Sequence, residues 1–581
     1  MNARVPVVLG ASLMGNAPPI SRSALSITVI IRDVSSMKLE EDQLRVLLTY
    51  AEQSMSDLDS NAQTTGFAVL KAVLGRKLDF PELPDIMNRV STLAVTSEMV
   101  HVRSQCRQLV LQYLADYPLG KVVIRKIQFF LGQLEYTREE GRMSALEFLC
   151  SVFSTFPRSL INTNAPLFFL ALSALLVNET SKNCTQLVVS ALKKLLTVLD
   201  DNVKNELFQI SILWLQNETV SHQLIAIQLS SIFIEADGPS FESRLKDFLP
   251  ILEILLNDES NGDIEKDQLL IQSLVTATKL FTVNPTLVTS SATVQVWQSI
   301  QKHLLHSQVR VRLLSARLIG LLFAAFTPEG IVEYISCKKS SKKMTVFDPP
   351  VDRLRALALD CSEQLIPPDV DSDIAEQTIK NLLFLFKVAA RLGKHSSQVD
   401  EETSEKRIFG VRWYIKRIRK EINSEVVENP EATVKRIAAF HFYAAALLDL
   451  HQIHGYKAVL EYLPTVLPCI LREINSSEDK SSHELSELAT LAKESGEFMK
   501  QLVGHEAYTE ILVSCRKVLQ KKKMTRKVEK SQLAVTNPKI AARMRVKKQA
   551  NKKEAKKKKN ALIRGKVMKR KKLKDVALLE E

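Results

Sequence analysis

Apolar residues recur along this chain at the spacing of a helix face. Leu44, Leu47 and Leu48 lie three and four residues apart, and so do Val69, Leu70, Val73 and Leu74. Met99, Val100, His101, Val102 and Arg103 open a further helical pattern that runs through Cys106, Leu109, Val110 and Leu114 and stops near Pro118. Similar patterns begin near Glu140, Ser181, Val220, Lys266 and Ser307, at steps of 39 to 46 residues. The clearest copy is Val309, Arg310, Val311 and Arg312 followed by Ala316, Leu318, Ile319, Gly320 and Leu321. Another helical pattern precedes each copy. Paired helices at a period of about 40–47 residues are the mark of HEAT or armadillo units, which must stack because one pair cannot bury its own apolar faces.

The period becomes less regular after Gly330. Residues 337–350 (CKKSSKKMTVFDPP) read as a basic loop, and Ile366, Pro367, Pro368 and Asp369 as a second break. Residues 395–405 and 476–482 read as polar loops. Helical patterns return at 374–392, 411–422, 434–450, 456–471, 484–502 and 508–519. The expected fold is all-α: an irregular segment over 1–35, a HEAT-like α-solenoid over 36–520, and a basic, largely disordered or extended-helical tail over 521–581.

Charge separates the last part from the rest. Residues 516–581 hold 26 Lys and Arg against 5 Asp and Glu, a net +21 within a chain of +14, which leaves 53 bases and 60 acids in residues 1–515. The tail has no Phe, Tyr, Trp or His. It cannot bury enough apolar surface to fold alone, but it can neutralise many phosphates. Its basic clusters supply the expected contacts: Arg543, Arg545, Lys547 and Lys548, then Lys552, Lys553, Lys556, Lys557, Lys558 and Lys559, then Lys569, Arg570, Lys571 and Lys572. Without aromatic side chains to stack on bases, such a segment grips phosphates with little sequence preference. The same clusters suffice as a nuclear or nucleolar address, and the two readings are compatible.

The chain offers little else for chemistry. It has neither a Walker-type loop nor a dinucleotide fingerprint, and no His-Glu-x-x-His. His303 with His306, and His451 with His454, are three apart, and they read as polar helix-face residues rather than metal ligands. None of the seven cysteines forms a Cys-x-x-Cys pair, so they read as reduced core residues. No cofactor, metal, catalytic group or small-molecule substrate is expected. The run from Val5 to Leu13 is broken by Pro6 and follows only Arg4, unlike a signal peptide, and no apolar run reaches the ~18–20 residues of a membrane span. One helix adds a second candidate site for RNA. Val411, Tyr414, Ile415, Ile418 and Ile422 form its apolar stripe. Trp413 lies opposite, among Lys416, Arg417 and Lys420, where an indole can stack on an unpaired base or pack against a neighbouring repeat.

Several short blocks resemble one family. Val535-Thr536-Asn537-Pro538 is followed by Ile540-Ala541-Ala542, by Asn551-Lys552-Lys553-Glu554-Ala555-Lys556-Lys557, and by Leu573-Lys574-Asp575 with Ala577. Together they are similar to the C-terminus of the "down-regulated in metastasis" family. These are very large HEAT-repeat proteins associated with the U3 small nucleolar ribonucleoprotein in the small-subunit processome. Residues 38–118, with Leu70-Lys71-Ala72-Val73-Leu74 and Tyr113-Leu114-Ala115-Asp116-Tyr117-Pro118, also look like part of it. The resemblance covers roughly residues 38–581 and implies a C-terminal portion of a longer protein. It also implies a non-catalytic nucleolar scaffold that supports processing of the 18S ribosomal RNA precursor. The partners it implies are pre-ribosomal RNA, U3 small nucleolar RNA, other processome proteins and, through the tail, nuclear import receptors. The alternative is a karyopherin-like HEAT-repeat transport adaptor.

Overall fold

The computed structural model describes residues 28–32, 40–55, 59–78, 80–257, 263–336, 345–367, 369–392, 409–428, 433–478 and 487–550, together with Lys553 and Lys557. The irregular start over 1–27, the basic run from Lys338 to Lys343 and the polar loop at 395–405 lie outside these residues. Among the described residues every regular element is a helix. The chain divides into two compact units, one formed by residues 1–325 with 341–348, the other by 326–340 with 349–581.

The first unit holds helices α1 (Glu41–Met55), α2 (Ser60–Gly75), α3 (Leu83–Thr96), α4 (Val100–Asp116), α5 (Lys121–Gly132), α6 (Glu139–Thr155) and α7 (Arg158–Asn178). It continues with α8 (Lys182–Val198), α9 (Asp201–Leu215), α10 (Val220–Asp237), α11 (Leu245–Asn257), α12 (Ile264–Val283), α13 (Val294–Lys302) and α14 (Val309–Ala324). Each odd helix packs on the even helix that follows it, and the even helices stack on one another from α2 to α14. From α4 to α14 the even helices begin at steps of 38 to 45 residues. This is the α-solenoid that the apolar period predicts.

The sequence shows why the turns close as they do. The fourth residue of α4, α6 and α14 is arginine. Arg103 Nη1 donates to Ser97 O and Glu98 O at 2.8 and 3.0 Å. Arg142 Nη1 donates to Tyr136 O and Thr137 O at 2.9 and 3.1 Å. Arg312 Nη1 donates to His306 O and Ser307 O at 3.0 and 2.9 Å. Gln223, fourth in α10, donates to Asn217 O at 2.8 Å in the same way. These carbonyls follow the end of a helix and lack intrahelical donors, and a cation there also meets the negative end of the helix dipole.

Close packing fixes one glycine. A Cβ at Gly141 would lie 2.8 Å from Tyr136 Cε1, closer still to Cδ1, and 3.0 Å from Val95 O. Gly141→Ala is expected to destabilise the unit by about 1–3 kcal/mol. A chemical-denaturation midpoint equal to that of the wild type would refute this packing.

Two sequence expectations need correction here. Helix α7 is long and apolar enough to cross a membrane by length and composition, although no such run was expected. Asn162, Asn164 and Pro166 interrupt the apolar residues, yet the segment 159–178 carries no charge. In this fold Ile161, Ala165, Phe168, Phe169 and Leu172 are buried, and the helix packs on α8. Likewise His303 is not on a polar helix face. It follows Val296 by seven residues and Ile300 by three, which places it on the buried face of α13, where the 3-10 turn His303–Leu305 begins. His303 is buried and its Nε2 lies 2.6 Å from Leu256 O.

The second unit holds α15 (Pro328–Ser336), α16 (Pro350–Glu363), α17 (Ser372–Leu392), α18 (Val411–Glu428), α19 (Val434–His454), α20 (Tyr456–Glu478), α21 (Glu487–Val503) and α22 (His505–Thr536). Helix α17 packs on α15 and α19, and α19 on α21; α18 packs on α20, and α20 on α22. Helix α20 runs to Glu478, through the start of the loop expected at Ser476. The six described cysteines are buried, as expected of core residues; Cys337 lies outside the described residues.

Candidate nucleic-acid interface

Helix α22 is built in two chemically different parts. Its first turns carry Ala507, Tyr508, Ile511 and Cys515 and pack against α20 and α21. Among the described residues Cys515 is the last that is buried. From Arg516 to Gln532 every described side chain is exposed. The helix continues across the point at which the sequence turns basic, to Thr536, and Asn537 leaves helical geometry at φ −139° and ψ 75°. Pro538 then starts another helical stretch over 538–550, with Ile540 N and Ala541 N both donating to Asn537 O at 3.1 Å. Proline suits this place because a first-turn residue has no intrahelical acceptor for an N–H.

Of the two states expected of the tail, the described part takes the helical one. Arg543, Arg545, Lys547 and Lys548 lie on this last stretch, and all are exposed. Lys553 and Lys557 are exposed as well. Lys552, Lys556, Lys558, Lys559, Lys569, Arg570, Lys571 and Lys572 lie outside the described residues. Ile540 and Met544 are exposed, so the apolar positions of this stretch bury little.

On α18 the apolar stripe faces inward: Tyr414, Ile415, Ile418 and Ile422 are buried. Trp413 is half-buried. Phe409 stacks on it with ring centroids 4.0 Å apart at 9°, and Arg355 lies over the Phe409 ring at 5.3 Å. Tyr414 meets the indole edge-on at 5.0 Å. Lys416 and Lys420 are exposed one turn apart, whereas Arg417 is largely covered and faces Glu421 at 3.7 Å. The structure thus brings Lys416 and Lys420 together and turns Arg417 away from them. Reading the stripe alone missed Phe409. It lies two residues before the first residue of the helix, where helical spacing gives no signal.

Titratable groups elsewhere owe their shifts to packing. Burial pushes the Cys106 thiol up to about 12 and raises Cys361, Tyr414 and Tyr443. Burial lowers the Lys126 ammonium to about 8, where it donates to Ser91 Oγ at 3.2 Å and Met87 O at 3.3 Å. Glu179 is held down at about 2 by the Arg142 guanidinium, which reaches both carboxylate oxygens at 2.7 and 2.9 Å. That pair closes one end of a cleft of about 460 Å³ lined by Leu131, Leu134, Ala171 and Ala174. A second cleft, of about 630 Å³, lies over α17 and α19, with Ile379, Leu383, Ile437 and His441 in its wall. Among the described residues no three His, Cys, Asp or Glu side chains are grouped to hold a metal ion.

Fold and surface define an α-solenoid of HEAT type with exposed basic helices over 516–550. The family model for the C-terminal region of "Small subunit processome component 20 homolog" matches residues 222–562, and the chain belongs to that family. The resemblance read from the C-terminal blocks is thereby borne out. The chain is 24% identical over 523 residues to "U3 small nucleolar RNA-associated protein 20" of Schizosaccharomyces pombe, covering 87% of this chain and 20% of that protein. It is 22% identical over 522 residues to the protein of the same name from Saccharomyces cerevisiae, covering 86% of this chain and 19% of that one. The chain therefore spans about a fifth of the length of these relatives. Among solved structures it is similar to the karyopherin Kap121p bound to the extreme C-terminus of the protein phosphatase Cdc14p. There the TM-score is 0.45 and the identity 11%, over 91% of this chain and 53% of that one. It is also similar to importin beta, with a TM-score of 0.41 and 10% identity over 85% of this chain and 62% of the other.

Proposed function

We propose that this chain acts as a non-catalytic scaffold within the small-subunit processome in the nucleolus. There it supports processing of the 18S ribosomal RNA precursor through protein contacts on its helical stack and RNA contacts on its basic C-terminus. The observation that carries the reading is the pairing of family membership with exposed cationic helices at the C-terminus. The name of the two yeast relatives, U3 small nucleolar RNA-associated protein 20, supports RNA and processome proteins as partners. Pre-ribosomal RNA and U3 small nucleolar RNA are the RNA partners in this reading, and import receptors take up the tail on the way to the nucleus. Trp413 with Lys416 and Lys420 is a second, smaller RNA contact. The family match favours this reading over the transport adaptor.

Sedimentation of the expressed chain from nuclear extracts tests the reading. It is expected to co-migrate with precursor particles of the small subunit and to leave them when Arg543, Arg545, Lys547 and Lys548 are all replaced by glutamine. A chain that stays at the top of the gradient overturns the proposal.

A further inference from the structure

Residues 516–536 of α22 form about 30 Å of helix at 1.5 Å per residue. At 100° per residue, Arg516, Lys522, Arg526, Lys527 and Lys530 fall within an arc of about 140°. Val513, Met524, Val528 and Val535, all exposed, fall within about 60° on the other side, where Lys517 also lies, with Lys521 at the edge. Lys522, Arg526 and Lys530 stand in one row at about 6 Å intervals along the axis, close to the spacing of successive phosphates along a strand. Glu529 is the sole acid from Arg516 to Thr536, and no described carboxylate lies within ion-pair distance of these cations. Like charges at i,i+4, as in Lys522 with Arg526 and Arg526 with Lys530, weaken an isolated helix. A polyanion along the arc removes that repulsion. The arc has no aromatic residue on which an unpaired base could stack, so a single strand gains nothing there beyond charge.

We propose that this free part of α22 is a binding element for double-stranded RNA, separate from the clusters that follow Asn537. Its cationic arc lies along the phosphates of a duplex, and the mixed face that carries Met524, Val528 and Val535 turns away. The ligand class is a duplex backbone, recognised by shape and charge without sequence. This rests on the RNA reading above and adds a site and a ligand class to it.

The test uses the full chain, an RNA duplex of about 20 base pairs, and one of its strands alone, in a salt series. Three variants are compared: Lys522→Gln with Arg526→Gln and Lys530→Gln; the charge-neutral helix breaker Met524→Pro; and Arg543→Gln with Arg545→Gln, Lys547→Gln and Lys548→Gln. All these side chains are exposed, and an unchanged thermal midpoint confirms that the body stays folded. The first variant is expected to weaken duplex binding about tenfold or more and to lower the log–log salt slope by about 2–3. Met524→Pro is expected to weaken duplex binding several-fold and to leave single-strand binding unchanged. If the first variant binds the duplex as the wild type does while the third loses affinity, the α22 site is overturned and the RNA reading stands. If no variant changes binding, both fall. If the first variant weakens binding but Met524→Pro does not, the cations act as a flexible polymer and the helical element is overturned.

Discussion

Replacing Arg436 by alanine is expected to destabilise the second unit by about 3–5 kcal/mol. Arg436 is 5% exposed and lies between two carboxylates that are themselves buried. Its Nε is 3.1 Å from Glu425 Oε2 and its Nη1 is 3.0 Å from Glu473 Oε2. The three residues come from α18, α19 and α20, so the guanidinium ties three helices together. Truncation removes the cation that the two desolvated carboxylates share, while Arg472 stays at 3.2 Å from Glu473. An unpaired buried charge costs far more than a buried pair contributes. The triple change Arg436→Met, Glu425→Gln and Glu473→Gln removes all three charges and is expected to recover most of the loss. Denaturant unfolding checks both. A single variant within about 0.5 kcal/mol of wild type would show that the triad is not needed.

In the first unit the corresponding weak point is Arg142. Arg142→Ala removes two bonds to Glu179, whose side chain is 2% exposed, and two to the carbonyls of Tyr136 and Thr137. The expected cost is about 3 kcal/mol. The pair also sets an acid limit. The folded state holds the Glu179 carboxyl at about 2 against an ordinary 4.5, so the unfolded chain binds more protons between those values. The contribution is therefore full above about pH 4.5 and is lost as the pH falls toward 2. Thermal midpoints across pH 2–5 should fall less steeply for Arg142→Ala than for the wild type. Equal slopes would place the acid sensitivity elsewhere.

The starts of the stacked helices were legible because apolar residues at i, i+3 and i+4 can face only one neighbour. Val100, Val220 and Val309 each begin a helix within two residues of the position that the pattern suggests. The arginine clamps were legible only as a recurrence, Arg103 and Arg312 each closing a Val-x-Val-Arg stretch, because the carbonyl acceptors are chosen by turn geometry. His303 escaped because its residue type reads as polar surface, although its spacing from Val296 and Ile300 is that of the buried face. The length of α22 was underestimated because its apolar stripe ends near Leu519 and like charges follow. Asn537-Pro538 was the readable stop. Trp413 was placed beside its cations, but its stacking partner comes from outside the helix, just before its first residue.

The most direct test compares the full chain with one ending at Cys515, which keeps the packed turns of α22. Binding of structured RNA is measured over a range of salt concentrations. The account predicts that the shorter chain loses most of its affinity and that the log–log slope falls by roughly 0.7–0.9 for each phosphate contact removed. Equal affinity and an equal slope for the two chains would contradict it and place the RNA surface on the helical stack.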